Sequence, residues 1–170
     1  MSKEFSYPQF ENGVKVISRA GDAVNDMMMN ITAYRMEAGQ SLTFCHAAEE
    51  TAVLLILGEV TFQWNDRRET GQRNSFIEEG PHCLHVCRNV AVTVTAHTGS
   101  EVLVQSTEND REFAPVFYRP EDCRDDIFGL DVFDNKMKRT VRTVFDYRSA
   151  PYSNMVNGEV INHQGGWSSY

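Results

Sequence analysis

Hydrophobic and polar residues alternate in short runs along most of the chain, and almost none of these runs has helical spacing. Val92, Val94 and Ala96, for example, alternate with threonines, which is typical of a strand with one solvent-facing side. Glycines and an Asn-Asp pair separate the runs and indicate turns. Many short strands at this spacing predict an all-β fold, an antiparallel sandwich or barrel. The predicted strands are Val14–Ser18, Met28–Met36, Leu42–Cys45, Thr51–Leu57, Val60–Trp64, Asn74–Ile77, Leu84–Cys87, Val90–Ala96 and Val102–Ser106.

The pattern changes after Thr107, where the chain becomes charged. The acidic stretch Glu121–Asp126 is predicted to hold one helical turn at most. Further extended segments are predicted at Val116–Tyr118, Lys138–Phe145 and Met155–Ile161. We therefore divide the chain into a barrel over residues 1–107 and a connector over residues 108–170 that carries the first strands of a second barrel.

The composition, with 170 residues of which 41% are hydrophobic and 24% charged, is that of an ordinary globular domain. The net charge of -8 lacks the electrostatic footprint of a nucleic-acid-binding protein. The sequence starts without an apolar stretch, so no signal peptide is predicted, and its longest uncharged apolar run, Ala52–Leu57, is too short to span a membrane. Cys45, Cys83, Cys87 and Cys123 are therefore expected to be free thiols in a cytoplasmic protein.

Two glycines, Gly39 and Gly58, stand at the ends of the spacing that cupin-type barrels use for their first metal-binding pattern. Counting from either glycine gives the same ligand positions, and Pro81 anchors the second pattern in register. The ligand positions fall at Cys45, Ala47, Thr51 and Val86. Because these side chains offer too few donor atoms for a metal, we predict a degenerate cupin-type barrel that has no metal and no other cofactor.

A second set of metal-binding residue types lies at Cys83, His85 and Cys87, which share one face of a predicted strand. The two cysteines are about 13 Å apart along a strand, so only one of them could join His85 and Cys45 around a zinc ion. The other interpretation, which we favour, is that these residues simply line the barrel.

Two adjacent carboxylates, Glu49 and Glu50, could suggest acid–base chemistry. Neighbouring residues on a strand point to opposite faces, so the two cannot flank one reacting bond. We predict a solvated pair where the strand begins, and we expect His97 and His163 to be solvated as well.

The one concentration of positive charge comprises Lys136, Lys138, Arg139 and Arg142. A guanidinium suits bidentate binding of a carboxylate, so Arg139 or Arg142 could hold an acidic substrate or shape a domain interface. The same residues could instead form a solvent-facing strand edge protected by charge.

The C-terminal stretch, Gly158–Asn162 followed by Gly-Gly-Trp-Ser-Ser-Tyr at residues 165–170, resembles the middle of the 5-deoxy-glucuronate isomerases of inositol catabolism. These are two-domain cupins of a KduI/IolB-like bicupin family. Lys-Arg-Thr-Val-Arg at residues 138–142 also matches what the family carries at this point, although Gly166 stands where the family usually has Asn. In the family, Pro-Pro-His-x-His follows and begins the metal site of the second barrel. The resemblance implies that the chain is the N-terminal half of such an isomerase.

The resemblance implies an aldose–ketose isomerisation of 5-deoxy-glucuronate to 5-dehydro-2-deoxy-gluconate. In the family, three His and a Glu of the second barrel hold a divalent metal, zinc or manganese, and none of those positions exists in this sequence. We therefore assign no catalytic residue to the chain. The substrate-binding residues that the resemblance implies are Arg139, Arg142, Trp167, Ser168 and Ser169.

We expect the chain to form a homodimer or higher homo-oligomer through its C-terminal strands, because these would otherwise present open edges and exposed apolar residues. The apolar residues expected there are Val141, Val144, Phe145, Val160 and Trp167. The expected ligand of the full-length protein is a small sugar acid, with no nucleic-acid or membrane partner. The alternative function is a non-enzymatic cupin that binds a small sugar or a protein partner in the mouth of the barrel.

Overall fold

The computed structural model describes residues 9–23, 27–163 and 165–167, which form two antiparallel β-sheets. The strands of the larger sheet are β1 (Val14–Ser18), β2 (Asn30–Met36), β3 (Ser41–Phe44), β4 (Glu49–Trp64), β5 (Arg67–Arg73), β6 (Cys83–Val86), β7 (Val92–Ala96), β8 (Ser100–Glu108) and β9 (Val116–Tyr118). A short 3-10 helix, Pro120–Asp122, leads into the second sheet. Its strands are β10 (Arg124–Phe128), β11 (Arg139–Phe145) and β12 (Asn157–Asn162). No helix in the described ranges is long and apolar enough to cross a membrane.

The long strand β4 closes the barrel. Its first half pairs with β6 and β8, and its second half pairs with β5 and β7. The register against β8 shifts between Leu55 and Leu57, and Gly58 follows with a φ of 100°. This bulge bends the strand from one half of the barrel into the other and reverses which residues face inward. The inward-facing residues are Val53 and Leu55 before the bulge and Val60, Phe62 and Trp64 after it.

Apolar side chains fill the barrel interior. The buried residues of this core are Met36, Val53, Leu55, Val60, Phe62, Trp64, Leu84, Val86, Val92, Val94, Ala96, Val102 and Val104. Phe117 of β9 closes one side, with its ring stacked 5.9 Å from that of Trp64. The interior is therefore a packed hydrophobic core.

The second sheet packs on the outer face of β4 and β6, opposite the barrel core. The buried residues of this second cluster are Ala52, Leu54, Cys83, Tyr118, Val144, Phe145, Ala150 and Met155. The expectation that Val144 and Phe145 are exposed is therefore wrong, because both pack against the barrel at 3% and 0% exposure. Val160 and Trp167 are about half exposed, as expected.

The strands differ from the predicted ones at three places. Thr51–Leu57 and Val60–Trp64 form one strand, since the glycine between them makes a bulge and not a turn. The predicted strand Asn74–Ile77 is wrong: the strand is the preceding polar segment, β5, which forms a two-residue hairpin with β4 at Asn65-Asp66. The acidic strand β10 was not predicted. In addition, β9 pairs with β6, so residues beyond 107 add a strand to the larger sheet.

Candidate functional site

The cupin-type spacing leads to the barrel end where β3 runs into β4. Thr51 on β4 and Val86 on β6 are direct cross-strand partners, and both are buried. The cupin-type spacing wrongly places Cys45 and Ala47 at inward ligand positions. Both are exposed, because the even-numbered residues Leu42 and Phe44 of β3 face the core and this alternation continues past the end of the strand. His46 lies between them, and its Nδ1 is 2.9 Å from the Thr51 hydroxyl. The inward-facing residues here are therefore His46, Thr51 and Val86.

These residues do not fit the divalent metal that a cupin-type barrel implies. Val86 has no donor atom, the Thr51 hydroxyl is engaged by His46, and one imidazole is too few where a zinc site needs several ligands. Glu49 lies nearby, but its carboxylate already accepts hydrogen bonds from Ser106 and from Asn30. Within the described ranges, no group of three or more His, Cys, Asp or Glu side chains is placed to hold a metal ion.

The alternative zinc site around β6 is not assembled either. Leu84 and Val86 take the inward positions on this strand, so Cys83 and His85 face the second sheet and not the barrel interior. The interpretation of these two residues as barrel-lining is therefore wrong. Burial raises the pKa of the Cys83 thiol far above its usual range, which opposes the thiolate that a metal would need. Cys45 is exposed and does not join them.

The face of β6 that carries His85 holds a buried Glu–His pair. Glu50 and His85 are both 0% exposed, and Nε2 of His85 is 2.8 Å from Oε2 of Glu50. The His85 ring stacks on Phe145 of β11, with 4.3 Å between centroids and 6° between planes. The prediction that Glu50 is solvated is therefore wrong, because Glu50 shares the outer face of β4 with Ala52 and Leu54.

The other hydrogen bonds of Glu50 come from the segment between β11 and β12. The Asn154 backbone N–H donates to Oε1 at 2.6 Å, and the Ser153 hydroxyl donates to Oε2 at 3.0 Å. Burial alone would raise the pKa of Glu50, but the hydrogen bonds from His85 and Asn154 outweigh it and hold the pKa below its usual value. Glu50 is thus an ionised carboxylate that fastens this segment to the barrel.

Besides the Glu50–His85 pair, a cluster of charged residues joins the barrel to the second sheet. Arg73, at the end of β5, is 0% exposed and binds Glu159 of β12 through two hydrogen bonds of 2.7 Å. Its remaining hydrogen bonds go to the backbone carbonyls of Leu55, Phe76 and Glu79. Every donor group of this guanidinium has an acceptor, so the buried charge is compensated.

Arg142, which the resemblance implies in substrate binding, belongs to the same cluster. It binds both carboxylate oxygens of Asp125 at 2.9 Å and donates to the Glu79 carbonyl at 2.6 Å. The hydrogen bond to Asp125 raises the pKa of Arg142, although burial opposes the charge. Its guanidinium is therefore directed at groups of this chain and links β10, β11 and the barrel.

Arg139 and Trp167 lie at the opposite end of the second sheet and are more accessible. The Arg139 guanidinium lies 5.7 Å from the centroid of the Phe128 ring and donates only a long hydrogen bond, 3.4 Å, to the Met137 carbonyl. Trp167 is 46% exposed, and its backbone N–H donates to the Lys136 carbonyl at 2.8 Å. The other two substrate-binding residues implied by the resemblance, Ser168 and Ser169, lie outside the described residues.

The roles of Glu50, Arg73 and Glu159 depend on contacts that the sequence pattern does not predict. A signal for Glu50 exists, since Glu50, Ala52 and Leu54 alternate and so share one face of a strand. No local signal identifies Arg73, which ends a polar strand and meets a partner 86 residues further along the chain.

The topology defines the class of protein: the larger antiparallel sheet, closed by β4 and with cupin ligand positions on the neighbouring strands β4 and β6, forms a cupin-type barrel. The chain belongs to the KduI/IolB family, whose model matches residues 5–170. No curated protein matches the sequence.

Solved structures resemble the chain to different extents. An IolB-like protein from Salmonella typhimurium LT2 superposes with a TM-score of 0.79 at 19% identity, over 95% of this chain and 60% of that chain. An RmlC-like cupin protein from Desulfovibrio desulfuricans gives a TM-score of 0.43 at 20% identity, over 55% of this chain and 79% of that chain. The chain thus spans 60% of the length of the IolB-like protein, and this likeness shows the fold.

The small number of metal-donor atoms around Thr51 and Val86 predicts a low metal content. Protein purified without chelator should contain far less than one equivalent of zinc, manganese or iron, because His46 is the one strong ligand facing Thr51 and Val86. Elemental analysis by mass spectrometry measures this. One tightly held zinc per chain, lost in a Cys83→Ser or His85→Ala variant, would contradict the prediction.

The Glu50 hydrogen bonds predict a pH-dependent contribution to stability. Glu50→Gln should lower the free energy of unfolding by about 2 to 4 kcal/mol at neutral pH, since it removes a buried, multiply bonded carboxylate. Because the pKa of Glu50 is lowered in the folded state, its contribution is present above the ordinary value of 4.5 and is lost as the pH falls through the lowered pKa. The difference between variant and wild type should therefore shrink in acid.

Urea unfolding followed by tryptophan fluorescence at several pH values measures this contribution. Glu101→Gln is the matched control, because Glu101 pairs with the exposed Arg35 and should change stability by less than about 1 kcal/mol. An equal effect of the two substitutions, or a Glu50→Gln effect that does not change with pH, would contradict the assignment.

Proposed function

We propose that this chain forms the non-catalytic N-terminal half of a cytoplasmic aldose–ketose isomerase that converts 5-deoxy-glucuronate to 5-dehydro-2-deoxy-gluconate in inositol catabolism. The observation that carries the proposal is the family match over residues 5–170. It is supported by the superposition on an IolB-like protein, which covers 95% of this chain but 60% of that one. A longer protein of this kind has room for a second barrel beside the first.

The burial of the Glu50–His85 pair and the apolar filling of the barrel support a non-catalytic role for this chain. An aldose–ketose isomerisation moves a proton between neighbouring carbons and needs a base that reaches the substrate together with an electrophile. The shortest carboxylate–imidazole contact among the described residues, between Glu50 and His85, is fully buried and hydrogen bonded within the protein. The barrel core is filled with apolar side chains, which also argues against the alternative of a sugar-binding cavity inside this barrel.

The accessible cationic end of the second sheet supports a contribution to substrate binding. Arg139 begins strand β11, the Trp167 backbone N–H donates to the nearby Lys136 carbonyl, and Lys136 and Lys138 add positive charge to this end. A guanidinium binds a carboxylate in a defined orientation, so Arg139 is suited to hold the acid group of a uronate. A divalent metal held by the second barrel would polarise the reacting oxygens. In this proposal Arg142 has an indirect role, because it fixes β10 and β11 through Asp125.

An activity assay tests the proposal. The chain alone, incubated with 5-deoxy-glucuronate and zinc or manganese, should form no keto product above background, whereas a longer protein that continues this sequence through a second barrel should turn over. In the longer protein, Arg139→Ala should raise KM by about tenfold, equivalent to the loss of about 1.4 kcal/mol of carboxylate binding. Arg35→Ala, at an exposed arginine of the barrel, is the matched control and should leave KM unchanged.

Turnover by the chain alone that survives purification and is abolished by a point substitution within it would overturn the non-catalytic assignment. Turnover of the longer protein with an unchanged KM in Arg139→Ala would reject the substrate-binding role of Arg139 and leave the isomerase assignment standing.

A further inference from the structure

The sequence contains two Asn-Gly pairs, and the fold places them in opposite surroundings. Asn12 and Gly13 form an exposed turn directly before β1, whereas Asn157, followed by Gly158, begins β12 and is buried. An Asn-Gly pair is chemically labile, because no β-carbon shields the glycine nitrogen from the side-chain amide of the preceding asparagine. The surroundings of each pair therefore decide whether it reacts in the folded protein.

The Asn12-Gly13 pair lies in a tight turn that leaves its reacting groups accessible. Two hydrogen bonds close the turn, one from the Glu11 N–H to the Val14 carbonyl at 2.8 Å and one from the Val14 N–H to the Glu11 carbonyl at 2.9 Å. The φ values of Asn12 and Gly13, 49° and 80°, are typical of a type I′ turn. The Gly13 N–H takes part in neither of the two closing bonds, and the Asn12 side chain is exposed.

The Asn157-Gly158 pair is held by the second sheet and by the barrel. Asn157 is 1% exposed, and its Nδ2 donates to Oε1 of Gln105 on β8 at 2.5 Å. Its backbone is paired with Phe145 of β11, and a β-carbon on Gly158 would lie 2.5 Å from the Arg142 carbonyl oxygen. The Asn157 side chain therefore cannot turn toward the Gly158 nitrogen unless β12 first leaves the sheet.

We propose that Asn12 is a site of spontaneous deamidation in the folded protein and that Asn157 is protected from it. The Gly13 nitrogen loses its proton and attacks Cγ of Asn12, which closes a succinimide ring. The bond between Cγ and Nδ2 breaks, and the amide nitrogen leaves as ammonia with the transferred proton. Water then opens either carbonyl of the ring and gives aspartate or isoaspartate. The proposal goes beyond the proposed function and does not depend on it.

Isoaspartate at position 12 would open the turn. Its backbone is one methylene longer, and the register of a hairpin is fixed by the length of its loop. Phe10 lies just before the turn, and the Arg35 guanidinium lies 3.9 Å from the centroid of its ring. The Gly13 carbonyl also accepts a hydrogen bond from the Arg35 N–H at 2.8 Å. Both contacts depend on the intact turn, so isoaspartate should release the segment before β1 from β2.

Peptide mapping by mass spectrometry tests the proposal on the folded 170-residue chain, kept for several days in warm, mildly alkaline buffer. Asn12 should be converted at least about tenfold faster than Asn157, because Asn157 reacts only from an opened state. Asn65 is the matched control for the turn. It is also exposed in a two-residue hairpin, with a φ of 47°, but Asp66 and not glycine follows it. Asn65 should therefore also react more slowly than Asn12.

Unfolding shows whether the fold causes this difference. In urea both pairs are released from the structure, so Asn157 should react as fast as Asn12. Equal conversion of Asn12 and Asn157 in the folded chain would overturn the proposal. So would an Asn12 that stays intact in the folded chain but reacts in urea.

The Asn12→Gly variant supplies an independent readout. Glycine adopts positive φ without strain, so the variant should fold and should not form the acidic species that ion exchange separates from aged wild type. An acidic species that Asn12→Gly leaves undiminished would overturn the assignment of the site. In the isoaspartate form, the amides of Val14 and Arg35 should exchange hydrogen faster than in fresh protein, since both donate across the turn. Unchanged exchange at these two amides would reject the opening of the turn.

Discussion

The buried ion pair between Arg73 and Glu159 holds the second sheet against the barrel. Removing two charges from water is costly, and the cost is offset here because Glu159 binds Arg73 through two oxygens while three backbone carbonyls accept its other hydrogen bonds. Nη1 of Arg142 lies 3.8 Å from Oε2 of Glu159, and the same guanidinium forms a salt bridge with Asp125 of β10. A change at Glu159 would therefore leave Arg73 buried without its counter-ion, and it would disturb all three strands of the second sheet.

The barrel was predictable from sequence because its strands carry their own pattern. Alternating apolar residues identify β7 and β8, and the spacing from Gly39 to Gly58 identifies the cupin type. Two strands of the second sheet, β11 and β12, were also predicted, but their place on the barrel was not, because it depends on contacts distant in sequence. From the sequence alone, Arg142 is interpreted as a solvent-facing or substrate-binding cation. In the structure it binds Asp125 and the Glu79 carbonyl. Likewise, the sequence predicts that Glu50 is solvated, whereas in the structure it is buried and hydrogen bonded to His85 and Asn154.

In the proposed isomerase, the same contacts would give this barrel a structural role. Its interior contributes stability, and its outer face carries a sheet that is fixed by Glu50 at one side and by Arg73 at the other. Arg139 begins β11, so in the proposed enzyme its guanidinium is carried on a strand that these contacts fix. In the proposed enzyme the barrel positions its binding residues through rigidity, while the chemistry belongs to the second barrel.

Hydrogen exchange measured by mass spectrometry on the wild-type chain and a Glu159→Gln variant tests most directly whether the ion pair fastens the second sheet. If it does, the amides of β11 and β12 should exchange at least about tenfold faster in the variant, while β2 and β8 of the barrel keep their protection. Unchanged exchange in β11 and β12, or an equal acceleration throughout the barrel, would contradict the central role given to Arg73 and Glu159.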